Sequence, residues 1–258
     1  MAKQRRTMKI NQFPNKINRN KKSKIISTII FILIFALAVA SGFFAIRFWL
    51  QDNDLGNMSS IEVLDLDTRE ITEEEKDDHI VPPDHPRFLS IPSIGINRVR
   101  ILGMGVTHPN EQGAQQMETP VGIHDVAWFN CQINPIAENR CALAQKPGSG
   151  NTVQASVMNA HACFSTTYTC VFDRLAELRN GDEIIVELGD GTEITYIVRL
   201  VEIRELENVD MAKVMRPIEA GLEGLNLITC AGEFDGARDS QGVLTANQRV
   251  LVYTIRED

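Results

Sequence analysis

The sequence predicts a mainly β domain, a barrel or a sandwich, carried behind one membrane-spanning helix. Three observations predict it. From Phe88 onward the chain breaks into many short apolar or alternating runs separated by Gly, Pro, Asn and Asp, the pattern of an all-β fold with one or two short helices. Residues 25–46 (IISTIIFILIFALAVASGFFAI) run for 22 positions without a charge. Charge is also unevenly spread: residues 1–24 hold nine Lys and Arg and no acid, leaving 17 basic against 34 acidic side chains in the rest.

The N-terminal third follows from those charges. At about 1.5 Å per residue, a helix over the uncharged run spans about 33 Å, enough for a hydrocarbon core of about 30 Å. Residues 1–24 are read as a basic cytoplasmic arm and residues 25–47 as a transmembrane signal anchor in contact with the lipid bilayer. The positive-inside rule then leaves the rest of this single-pass membrane protein extracellular. Ala38-Val39-Ala40 resembles a signal-peptide cleavage site, but Phe43 to Ile46 continue the apolar run past it. Residues 48–87 are rich in Asp and Glu and end on Pro82, Pro83 and Pro86, which reads as an acidic flexible stalk. His79 and His85 fall in it without a paired ligand pattern and are read as solvated. An acidic body repels phosphates, so nucleic acid is excluded as a partner.

Residues 88–258 form the expected folded domain. Phe88 to Ile96 alternate, and Val99 to Leu102, Val126 to Phe129 and Thr152 to Ala160 give further strands. Val171 to Arg179 places Phe172, Leu175, Ala176 and Leu178 or Arg179 at helical spacing, with Asn180-Gly181 as a stop. Glu183 to Leu188, an Asp190-Gly191 turn and Glu193 to Val201 form a hairpin signal. Asp210 to Met215 suits one or two helical turns before Pro217. Leu225 to Cys230 and Arg249 to Ile255 are the last strands. No internal repeat is present.

The five cysteines are Cys131, Cys141, Cys163, Cys170 and Cys230. Outside the cell disulfides persist, and pairing neighbours (Cys131 with Cys141, Cys163 with Cys170) closes two short loops and leaves Cys230 alone. Four cysteines can pair in three ways, so this pairing is an expectation. No finger-type spacing of Cys and His supports a metal site.

Cys230 ends a buried strand where the chain opens into a polar loop, and a partly exposed thiol near a positive neighbour suits a nucleophile. Of the five histidines, His161 alone ends an apolar strand at the mouth of a cysteine-bracketed loop, where it could exchange protons with that thiol. Arg249 opens the last strand and could face developing negative charge. Each residue alone has a plain structural reading: a small buried apolar thiol, a surface imidazole, a strand-edge charge.

Together they resemble the sortase family of cysteine transpeptidases, over about Phe88 to Glu257. Leu225-Asn226-Leu227-Ile228-Thr229-Cys230 resembles the family's TLxTC strand, Asn159-Ala160-His161 its histidine segment, and Gln248-Arg249-Val250-Leu251-Val252 its arginine strand. Ala231-Gly232-Glu233-Phe234-Asp235 is similar to the GGxFD run of class E/F-type sortases of Gram-positive actinobacterial lineages. Ala160 stands where glycine is usual, and the segment between Cys230 and Arg249 is long. Arg238, the other arginine there, does not border the strand.

The resemblance implies a closed eight-stranded sortase-type β-barrel with short helices and no cofactor or metal. It implies Cys230, His161 and Arg249 as the catalytic set, with Thr229 supporting the substrate or oxyanion. The implied partners are LPxTG-type sorting signals, cut between Thr and Gly through a thioacyl intermediate, and an amine acceptor from a peptidoglycan precursor or a pilin lysine. The competing readings are an L,D-transpeptidase-like wall enzyme, whose arginine follows its cysteine closely, and a non-enzymatic membrane-tethered adhesion or sensor domain with structural disulfides. Papain-like hydrolases place cysteine before histidine, the reverse of this chain.

Overall fold

Eight strands close on themselves in this computed structural model, which describes residues 66–107, 116–130, 145–163, 165, 167–238 and 245–257. The expected membrane segment 25–47, the basic arm, the first part of the stalk, and Cys131 and Cys141 lie outside the described residues. Among the described residues no helix is long and apolar enough to cross a membrane.

The strands are β1 (Pro86–Ile91), β2 (Ile96–Met104), β3 (Val126–Phe129), β4 (Ser156–Asn159), β5 (Glu183–Leu188), β6 (Glu193–Glu205), β7 (Leu225–Ala231) and β8 (Gln248–Arg256). They are hydrogen-bonded in the order β1-β2-β3-β4-β7-β8-β6-β5, and β5 pairs back to β1 to close the barrel. Two neighbouring pairs, β2 with β3 and β4 with β7, run parallel; the others are antiparallel. The expected closed eight-stranded barrel is therefore the fold. Among the described residues two short α-helices accompany it, α1 (Glu73–Asp77) and α2 (Met211–Val214).

The two-residue period of a strand decides which side chains fill the barrel. Leu89, Ile101, Trp128, Met158, Leu227 and Val252 belong to one cluster that draws on all eight strands, which makes it the interior. Their neighbours Phe129, Val157, Leu251 and Tyr253 point the other way and form a second cluster with Val214 of α2. β3, β4, β7 and β8 are thus covered on both faces, which explains their continuous apolar runs. On that outer side the Asn226 amide donates to Val214 O (2.7 Å) and Arg216 O (2.9 Å), tying the end of α2 to β7.

Two expectations need correction. Val171 to Arg179 is not an α-helix but a run of turns around a short 3-10 helix, Leu175–Glu177. Phe172, Leu175 and Leu178 are buried whereas Ala176 and Arg179 are exposed, a spacing of three that fits the 3-10 repeat rather than 3.6. The described end of the stalk is also packed on the barrel. Asp67 bridges to Gly122, the Arg87 guanidinium donates to His79 O (2.8 Å), and Asp190 N donates to Pro83 O (3.1 Å). His79 bonds the carbonyl of Ile101 (3.0 Å) and lies edge-on to Phe88, and His85 lies edge-on to Trp128. Neither histidine is free in solvent, because each is anchored by an aromatic ring of the barrel.

Candidate active site

β4 places Asn159 beside Ile228 of its parallel neighbour β7, so two residues further along the two chains come His161 and Cys230. β7 places Cys230 directly opposite Arg249 of antiparallel β8. Alternation puts Asn159 and His161, Ile228 and Cys230, and Arg249 and Leu251 on the outer face of the barrel wall, since Ile228 and Leu251 pack in the outer cluster. Residues opposed across antiparallel strands have Cα atoms about 4.5–5.5 Å apart, so Cys230 and Arg249 share one patch. All three predicted catalytic side chains line one cavity of about 940 Å³. Its other walls are largely apolar, with Val106, Met117, Phe129, Val209 and Met215 among them.

Cys230 is a free, half-buried thiol. Its Sγ lies 3.8 Å from Thr245 Oγ1. The Arg249 guanidinium donates from Nη1 to Ala246 O and Gln248 O (both 2.8 Å) and from Nη2 to Thr245 Oγ1 (2.9 Å). A planar fork of donors can make three such bonds at once, which fixes the cation beside the thiol. Arg238, by contrast, is exposed.

His161 is bonded through Nε2 to the carbonyl of Pro120 at 2.6 Å. A carbonyl only accepts, so Nε2 carries a proton in both charge states and Nδ1 is the nitrogen that gains or loses one. Burial pulls the imidazole pKa below its ordinary value, with the Pro120 carbonyl opposing. The main chain holds the residue as well: Phe172 N donates to His161 O (3.0 Å).

Thr229 is buried, and its hydroxyl donates to Ala160 O at 2.8 Å. The side chain staples β7 to the end of β4, one residue from both Cys230 and His161, so any help to an oxyanion falls to its backbone. Cys163 and Cys170 are joined as expected, with Cα atoms 5.3 Å apart. The Asp173 carboxylate accepts from the backbone N–H groups of both cysteines, closing the loop that follows His161. With Asp173 these sulfurs are close enough to hold a metal, but as a disulfide they offer no thiolate.

The segment after Cys230 is pinned by Asn247. Its side chain accepts from Glu233 N (2.9 Å) and donates to the Asp235 carboxylate (2.8 Å), while Asn247 N donates to Glu233 O (2.9 Å). Gly232 has φ +81°, and a Cβ there would sit 2.2 Å from Asn247 Oδ1, so glycine is required. Pro120, Thr245 and Asn247 were not foreseen from the sequence. Their contacts arise only when separate loops meet, although Asn247 stands two residues before Arg249.

A family model described as the sortase domain matches residues 89–256. The chain belongs to the sortase family. It is accordingly an enzyme, a cysteine transpeptidase. Among solved structures, this sortase is similar to sortase C of Streptococcus pneumoniae at 16% identity, over 74% of this chain and 75% of that one, with a TM-score of 0.43. It is also similar to sortase C-1 of Actinomyces oris at 19% identity, over 75% of this chain and 84% of that one, with a TM-score of 0.42. Comparison with curated protein sequences gave no match.

Proposed function

We propose that this sortase is a membrane-anchored enzyme that cuts an LPxTG-like sorting signal between Thr and Gly and joins the protein to a cell-wall amine. The observation that carries the reading is the Cys230–Arg249 pair with His161 level beside it, all three lining one largely apolar cavity. The uncharged run 25–46 behind nine positive charges supports single-pass anchoring with the catalytic domain outside. The run Ala231 to Asp235 supports a class E/F-type relationship.

In the proposed reaction the Cys230 thiolate attacks the threonine carbonyl carbon, and the oxyanion that forms is held by Arg249 and nearby backbone donors. The C–N bond breaks as the leaving glycine nitrogen takes a proton from His161 Nδ1. The acceptor amine, from a peptidoglycan precursor or a pilin lysine, gives a proton back to Nδ1 and attacks the thioester. Cys230 leaves as thiolate, so no oxidant or further reactant is needed. The apolar wall suits the Leu-Pro end of the signal.

Transfer of a labelled LPxTG peptide to glycine or diaminopimelate-like amines by the full-length protein in detergent tests this. Wild type yields the ligated product, Cys230→Ala and His161→Ala do not, and Arg249→Lys loses roughly tenfold or more in kcat/KM because a point charge cannot replace the fork. Product formed by Cys230→Ala would overturn the assignment.

A further inference from the structure

We propose that the hydroxyl of Thr245 is a working part of the site: oriented by Arg249, it donates to Cys230 Sγ and stabilises the negative charge on the sulfur once the thiol has lost its proton. This rests on Cys230 being the nucleophile and adds a residue that neither the sequence pattern nor the family match assigns.

Donor chemistry fixes the direction of the first bond, and that of the second once the thiol has lost its proton, because a thiolate only accepts. The guanidinium has donors only, so its 2.9 Å bond to Thr245 Oγ1 occupies an oxygen lone pair. A hydroxyl carries one proton and two lone pairs, so its proton remains to be directed elsewhere. Cys230 Sγ lies 3.8 Å away, within reach for a large, polarisable acceptor. Arg249 spends Nη1 on two carbonyls of its own loop. Thr245 is therefore the polar link between cation and sulfur. A donor whose oxygen is itself bonded to a cation is polarised and donates more strongly.

The link is held in place. Thr245 is 8% exposed, and its N–H donates to Ala237 O at 3.0 Å. Asn247, two residues on, fastens the same limb to Glu233 and Asp235. The hydroxyl thus keeps its aim without reorganising when the thiol loses its proton, which is the condition for electrostatic preorganisation.

The competing role is structural, a threonine that merely secures Arg249. Two readouts separate the roles. One is the rate of iodoacetamide alkylation of Cys230 at neutral pH, located by peptide mapping. The other is kcat and KM for peptide transfer, with the full-length protein and its melting temperature measured alongside.

Thr245→Val keeps the shape and removes the hydroxyl. Its alkylation rate and its kcat should each fall roughly tenfold, the scale of one charge-assisted hydrogen bond, with KM little changed. Thr245→Ser should restore both. Thr245→Ala provides a second hydroxyl-free variant should the valine perturb folding. Wild-type alkylation in either folded hydroxyl-free variant, or no rescue by serine, would overturn the role of Thr245. Transfer persisting in Cys230→Ala would instead overturn the nucleophile on which the role depends.

Discussion

A carbonyl oxygen decides which nitrogen of His161 is left to gain or lose a proton. Pro120 O occupies Nε2 at 2.6 Å, so in the proposed reaction the proton that moves is the one on Nδ1. Burial favours the neutral ring, so the folded pKa lies below the unfolded value of about 6.5. The unfolded chain then binds the proton first as pH falls. The stability contributed by neutral His161 is present above about pH 6.5 and lost as pH drops through the folded pKa. In the free enzyme the acid form of His161 is a minority at neutral pH. An NMR titration of the His161 ring should give a midpoint below about 6.5; a midpoint above it would show that the Pro120 carbonyl outweighs burial. The residues themselves were legible: Cys230 as the odd cysteine ending a strand, and His161 as the one histidine with a strand behind it. Pro120 was not, because its contact with His161 bridges 41 residues and leaves no local pattern.

At the scale of elements, the site is a matter of register. Leu225 to Ala231 was readable as a strand because its alternation and flanking loops agree, and Glu183 to Leu188 with its Asp190-Gly191 turn was readable for the same reason. β6 continues to Glu205, beyond the expected Val201, because its far end pairs with β8 rather than β5. Pairing across β4, β7 and β8 is long-range and could not be read, yet it alone brings His161, Cys230 and Arg249 together. The Val171–Arg179 misreading came from treating a spacing of three as one of 3.6. The Cys163–Cys170 disulfide just before that segment closes a short loop with a sequence separation of 7. A loop of this length is worth about 2 kcal/mol in the chain-entropy account. Replacing Cys163 and Cys170 by Ala should lower unfolding stability by about that much and slow transfer, since the loop begins two residues after His161. An unchanged urea midpoint together with unchanged transfer would show that the Asp173 bonds suffice.

At the scale of the whole molecule, the folded unit begins before the first strand. Asp67 N donates to Val121 O and Ile123 N donates to Asp67 O, both at 3.0 Å, gripping the segment whose Pro120 holds His161. Acidic composition and three prolines made residues 48–87 read as a spacer. Composition reports solvation but not the barrel-facing contacts of Asp67, His79, His85 and Arg87. A protein starting at Phe88 should therefore be less stable than one starting at residue 64 by about 3 kcal/mol, the scale of several lost hydrogen bonds. Equal denaturation midpoints for the two would return those residues to the role of a stalk. In the proposed function this barrel presents Cys230 for acylation and passes the acyl group to an amine. The most direct measurement is the intact and peptide-mapped mass of the full-length sortase after brief mixing with an LPxTG peptide, without and then with amine. The expected result is a thioacyl adduct on Cys230 that is discharged by the amine into a ligated product. Ligated product forming with no acyl group ever on Cys230, or an adduct on another residue that turns over, would contradict it.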